Sequence, residues 1–116
     1  MLEISEVEFV KLVGQAFDSI PDKLVELMEN VAIFIEDEAP DDDPDLLGLY
    51  EGIPLTERGD TYFGTRPDSV TIFRLPIMRM CTSRKQIIDE VRITVVHEVA
   101  HHFGIDDDRL RDLGWG

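Results

Sequence analysis

The sequence predicts an α+β fold, because helical and strand patterns occupy separate stretches of its 116 residues. Apolar residues recur at helical spacing near the N-terminus and again over residues 83–103. Two runs rich in β-branched residues, 31–35 and 70–75, lie between these stretches. At this length we expect one domain, residues 1–116, that is large enough for a hydrophobic core.

The N-terminal part should form two helices and a strand. Ser5 and Glu8 have the spacing of a capping box, so the first helix should run from about Glu6 to Asp18. A second helix should end near Asn30. The run Val31–Ile35 is apolar throughout, which is typical of a central buried strand.

An acidic loop and two strands should follow. Residues 38–45 combine prolines with carboxylates, which favours an exposed loop; a calcium site is the alternative, but the EF-hand positions are absent. Residues 46–50 can form a short strand. In the strand-like run 70–75, Val70 and Ile72 should share one face.

Residues 83–103 should form one long helix, capped by Ser83 and preceded by a short helical turn at residues 76–80. Gly104 should end it, because glycine accepts the left-handed conformation of helix C-termini. A polar stripe runs along this helix: Ser83, Gln86, Glu90, Thr94, His97 and His101. The opposite face is apolar: Ile88, Val91, Val95, Val96, Val99 and Phe103.

The long helix carries the motif H-E-x-x-H at residues 97–101. On a helix, this spacing places His97 and His101 on one face with the Glu98 carboxylate beside them, which is the arrangement that holds zinc and activates its water. A catalytic zinc site usually has three protein ligands, so a third ligand must come from elsewhere.

Several stretches resemble a known family. The motif, the His-Phe-Gly-Ile run after it, Leu-Gly-Trp at the end and the stretches 48–59 and 67–74 are similar to the small bacterial zincin-like metallopeptidases, the minimal zincins. The resemblance implies a single lobe in which a small mixed sheet packs against helices, including the HExxH active-site helix. It also implies a Zn²⁺ cofactor and a peptidase acting on peptide or protein substrates.

The segment after Gly104 should supply the third ligand. In the pattern H-E-x-x-H-x-x-G-x-x-D, Asp107 stands where a glycine-turned zincin places it. Asp106 and Asp108 could replace Asp107 or orient the histidines from outside the ligand shell. His102 points away from the ligand stripe and is interpreted as structural.

The expected mechanism is hydrolysis with Glu98 as general base. In zincins an edge strand beside the active-site helix pairs with extended substrate. Residues 70–75 or 61–64 should form that rim, and an ordinary sheet strand is the alternative. Tyr62 or Arg74 could stabilise the oxyanion.

Charge and composition restrict partners and location. The net charge is −14: residues 1–50 hold 14 acids and 2 lysines (−12), and residues 51–116 hold 11 acids and 9 bases (−2). Nucleic acid is therefore not an expected partner. No run approaches the ~18 apolar residues of a membrane helix. The lone Cys81, expected to be a buried thiol, and a start without signal-peptide features favour the cytoplasm.

Two other classes of function remain open. A metal-binding module without turnover would suit a short chain, although Glu98 argues against it, because a structural site needs no base. A metal-dependent ribonuclease of the H-x-x-x-H-x-x-x-x-x-H type would need a third histidine that the sequence lacks. Peptidase chemistry is the preferred hypothesis.

Overall fold

The computed structural model describes residues 3–29, 31–52 and 68–112, apart from the side chains of Leu27 and Asp107. Their elements confirm the predicted α+β class. In chain order they are α1 (Glu6–Asp18), α2 (Asp22–Leu27), β1 (Val31–Glu36), β2 (Gly48–Glu51), β3 (Asp68–Phe73), α3 (Arg74–Met80), α4 (Arg84–His102) and α5 (Asp107–Asp112).

Helix α1 has the predicted bounds. The Ser5 hydroxyl accepts a hydrogen bond from the backbone N–H of Glu8, which is the first of the two bonds of a capping box. The Glu8 carboxylate accepts a hydrogen bond from Nε of Arg84 at the start of α4. This bond lowers the pKa of Glu8. Helix α1 is thus capped locally and joined to α4 at one end.

The described strands form a three-stranded mixed sheet in the order β1-β3-β2. Strand β1 runs parallel to β3, with Ile33 opposite Val70, and β2 runs antiparallel to it, with Tyr50 opposite Val70. In β3, the four residues Val70–Phe73 are buried.

The sheet corrects two expectations. Strand β1 lies at an edge of the described sheet, and its Phe34 is 53% exposed, so the prediction of a central buried strand was wrong. The physical reason is that α4 packs against β2 and β3. Strand β3 is paired on both sides and ends at Phe73, so it is not the predicted substrate rim. The alternative rim, residues 61–64, lies outside the described residues.

Helix α4 packs against β2 and β3 and also against α1, so it is covered from two directions. Thr94, predicted to lie on the polar stripe, is buried, whereas Phe103 on the predicted apolar face is 43% exposed because it is the C-terminal cap residue. The buried residues of α4 are Ile87, Val91, Thr94, Val95, Val96, Val99 and Ala100.

None of the helices within the described ranges has the length and apolarity needed to cross a bilayer.

Strand β2 approaches α4 closely at Gly48. A Cβ atom at this position would lie 2.6 Å from Cγ2 of Thr94 and 3.2 Å from the carbonyl oxygen of Thr71. Both neighbours are buried, so neither can move without disturbing the core. A residue without a side chain is therefore required where β2 crosses α4.

Gly48→Ala should lower the free energy of unfolding by about 1–3 kcal/mol, the usual cost of overpacking a core. Gly14 is the matched control, because it is an exposed position within α1 and nothing lies within 4 Å of a Cβ added there. Gly14→Ala should raise the same free energy by about 0.5–1 kcal/mol. Urea unfolding of both variants measures the difference. Equal stability of the two alanine variants would contradict the close approach of β2 to α4.

Candidate metal centre

Signals at both ends fix the length of α4. The Ser83 hydroxyl accepts a hydrogen bond from the backbone N–H of Gln86, as predicted, and Oε1 of Gln86 accepts one from the N–H of Thr82. At the other end Gly104 has φ +71°. Its N–H donates to the carbonyl of His101, and the N–H of Ile105 donates to that of Ala100, which together make a Schellman motif.

His97 and His101 lie one turn apart near the C-terminal end of α4, and both are exposed. Their ring centroids are 6.2 Å apart and the ring planes differ by 25°. Because a Zn–N bond is about 2.0–2.1 Å long, two imidazoles at this separation can reach one ion. The imidazole nitrogens of His97 and His101 are exposed and lie on adjacent turns of a helix whose ends are fixed. They are therefore suitable ligands for a zinc ion.

The Glu98 side chain turns towards the sheet. Its Oε1 accepts a hydrogen bond of 3.1 Å from the backbone N–H of Tyr50 in β2, and the side chain is partly buried. The sequence alone did not mark Tyr50 as a hydrogen-bond partner of Glu98. The available signal was Gly48, two residues earlier, which permits β2 to lie against α4. Strand β2 is therefore the strand beside the candidate base.

The three aspartates after Gly104 lie at the start of α5. Oδ1 of Asp106 accepts a hydrogen bond of 2.8 Å from the N–H of Arg109, and Asp108 pairs with Arg111. Asp107 is the first residue of α5, and its side chain lies outside the described residues. Among the side chains that the structure describes, no three His, Cys, Asp or Glu residues form a group able to hold a metal ion. The third ligand stays a prediction.

An aspartate scan tests this prediction. Asp107→Asn should lower zinc affinity by more than ~100-fold, since loss of outer-shell partners alone costs about 10–100-fold. Asp106→Asn should keep most of the affinity, because asparagine also caps helices, and Asp108→Asn should remove only an exposed ion pair. Competition with a chromophoric chelator measures all three. Loss of affinity only in the Asp106 or Asp108 variant would assign the ligand to that residue instead.

Arg74, a candidate for stabilising the oxyanion at the substrate rim, is the first residue of α3. Its Nε donates to Oδ1 of Asp37 at 2.8 Å, and Nη2 lies 3.9 Å from Oε1 of Glu6. The hydrogen bond with Asp37 is the main cause that raises the pKa of Arg74. Its side chain is only 13% exposed, and these ion pairs tie it to α1 and to the loop after β1. Tyr62, the other candidate, lies outside the described residues.

His102 contacts residues of β2 and β3, whereas Cys81 lies before the N-terminal end of α4. The His102 ring stacks on Tyr50, with centroids 3.9 Å apart and planes 19° apart. Its Nε2 lies 3.5 Å from Oδ2 of Asp68.

Cys81 is the buried free thiol that was predicted, and desolvation, reinforced by Glu90, raises its pKa.

The fold is similar to that of a solved structure. A conserved hypothetical protein from Thermo thermophilus matches with a TM-score of 0.58 at 20% sequence identity, covering 86% of this chain and 94% of the other. At this identity the likeness concerns the fold alone. The chain matches none of the curated proteins with which it was compared.

The sequence also matches a family model. Residues 28–115 fit the model described as zincin-like metallopeptidase. This range contains the sheet, the helix α4 and the segment after Gly104. The chain belongs to the family of zincin-like metallopeptidases.

Proposed function

We propose that this protein is a zinc-dependent peptidase whose general base is Glu98. The observation that carries the proposal is the arrangement on α4. The exposed imidazoles of His97 and His101 lie one turn apart. The Glu98 carboxylate accepts a hydrogen bond from the backbone N–H of Tyr50 in β2. Family membership supports the same chemistry at a coarser level.

The residues have separate tasks. His97, His101 and a carboxylate of the segment after Gly104 would hold the ion. When bound, zinc supplies a Lewis acid and lowers the pKa of a coordinated water towards ~7. Glu98 accepts the proton of the attacking water and returns it to the leaving amine. The hydrogen bond from Tyr50 engages Oε1, and a carboxylate with two oxygens retains acceptor capacity for this transfer.

The chemistry of Glu98 and the net charge support a proposal for the substrate class. A carbonyl carbon next to an amine leaving group requires the proton shuttle that Glu98 offers. The net charge of −14 disfavours nucleic acid, so peptides or proteins are the proposed substrates. A cytoplasmic location is part of the proposal, and the lone buried thiol of Cys81 supports it, since a reducing compartment preserves free thiols.

A second candidate function is a zinc-binding module without turnover. One observation favours it: Oε1 of Glu98 already accepts a backbone hydrogen bond, which is also what a purely structural carboxylate would do. A ligand set of two histidines and one carboxylate favours the peptidase, because structural zinc sites normally have four protein ligands and leave no position for water.

The test is cleavage of a mixed peptide library, read by mass spectrometry. We expect cleavage by the zinc-loaded protein, loss of cleavage on chelation and recovery when zinc is returned. Bound zinc without cleavage of any peptide would favour the binding module. Cleavage that persists after complete removal of metal would contradict the proposal.

A further inference from the structure

The backbone amide that reaches Glu98 lies on the outer side of β2. The N–H of Phe73 in β3 donates to the carbonyl of Leu47, so residue 47 faces β3. Because backbone groups alternate along a strand, Leu49 and Glu51 also face β3, whereas Gly48 and Tyr50 face away from it. The N–H of Tyr50 is thereby turned to α4, where it meets Oε1 of Glu98.

The side chain of Tyr50 is held independently of its backbone. Its hydroxyl donates a 2.8 Å hydrogen bond to Oδ2 of Asp68, the first residue of β3. Its ring stacks on His102, whose Nε2 is 3.5 Å from the same Oδ2. The three side chains therefore form one cluster, Tyr50–Asp68–His102, which joins β2, β3 and α4.

The cluster and the candidate base share one helix face. Glu98 and His102 are four residues apart on α4, so their side chains lie on adjacent turns. Tyr50 contacts the first through its backbone and the second through its ring. Two contacts one turn apart fix how β2 lies along α4, and thus where the amide meets the carboxylate.

A glycine makes room for the cluster. Gly52 follows the last residue of β2, and a Cβ at Gly52 would lie 2.7 Å from Cγ of Asp68 and 2.8 Å from its Oδ1. The side chain of Asp68 is only 12% exposed, and its carboxylate lies close to the chain at Gly52, just after β2. The position of Asp68 thus depends on the same strand that it helps to hold.

We propose that Tyr50, held by Asp68 and His102, is a positioning residue that fixes the Glu98 carboxylate through its backbone amide. The inference rests on the proposed function in assigning Glu98 as the base. In this proposal, His102 does not bind the metal ion but holds the ring of Tyr50. It also predicts that loss of the Tyr50 hydroxyl weakens a contact formed by the backbone of the same residue.

The test uses the amide proton of residue 50 in ¹H–¹⁵N spectra of the zinc-free protein. Glu98→Gln removes the charged acceptor and should move this resonance in the wild-type background. In the Tyr50→Phe background, Glu98→Gln should move the amide resonance of residue 50 by about half the wild-type displacement or less. The reason is that the amide is no longer held in alignment with the side chain of residue 98. The control background is Asp89→Asn, which changes a carboxylate elsewhere on α4. In that background, Glu98→Gln should move the amide resonance of residue 50 as far as it does in the wild type.

An equal displacement in the wild-type and Tyr50→Phe backgrounds would overturn the proposal. If Tyr50→Phe does not fold, Asp68→Asn serves the same test, with a reduced displacement expected and an undiminished one overturning the inference. In zinc-loaded protein, Tyr50→Phe should lower kcat by about 10–100-fold with zinc affinity unchanged. The spectroscopic result does not depend on turnover, so a chain that cleaves nothing would remove the peptidase proposal and leave the positioning contact established.

Discussion

Glu98→Gln is expected to lower kcat/KM for a cleaved peptide by about 10²–10⁴-fold, the usual contribution of a general base. Glutamine keeps an oxygen that can accept the hydrogen bond from the N–H of Tyr50, so the side chain should stay where the structure has it. It cannot take up a proton from water. Steady-state kinetics measures the loss, and the zinc content of the same sample should equal that of the wild type.

Glu26→Gln is the matched control, because Glu26 is an exposed carboxylate on α2. It should leave kcat/KM unchanged. A Glu98→Gln enzyme as active as this control would show that another group takes the proton. Loss of zinc together with activity would show that Glu98 holds the metal site together rather than serving as its base.

Replacing either proposed zinc ligand, His97 or His101, should separate zinc binding from the stability of the fold. His97→Ala and His101→Ala should each lower zinc affinity by more than ~100-fold, because loss of outer-shell partners alone costs about 10–100-fold. Both rings are exposed, so the free energy of unfolding of the zinc-free variants should stay within about 0.5 kcal/mol of the wild type. Isothermal titration with zinc and urea unfolding without it measure the two effects.

His102→Ala should show the opposite pattern. It removes the ring that stacks on Tyr50, so the zinc-free protein should lose roughly 0.5–1.5 kcal/mol of stability. Its zinc affinity should remain close to that of the wild type. Zinc binding that falls in the His102 variant and persists in the His97 variant would contradict the assignment of ligands.

Local signals explain why the helices could be predicted. The capping side chains of Ser5 and Ser83 and the left-handed Gly104 act within four residues along the chain, and the structure has each of them in the expected role. The positions of His97, Glu98 and His101 on one helix follow from the same short-range geometry. The motif therefore predicted the part of the site that α4 provides.

The parts of the site that depend on distant residues could not be predicted. The bond between Tyr50 and Glu98 joins residues 48 positions apart, and it depends on how β2 lies against α4. An apolar run such as Val31–Ile35 predicts a strand but not its neighbours, which is why β1 was wrongly placed at the centre. Arg74 illustrates the same limit, because its ion pairs come from α1 and from Asp37 after β1.

The central claim is that a zinc ion is held by His97 and His101 on α4. Anomalous diffraction at the zinc edge, from crystals of zinc-loaded protein, tests it most directly. We predict one strong peak in contact with ring nitrogens of both histidines and with a carboxylate of residues 106–108. A peak at the acidic loop of residues 38–45, with none beside His97 and His101, would contradict the claim.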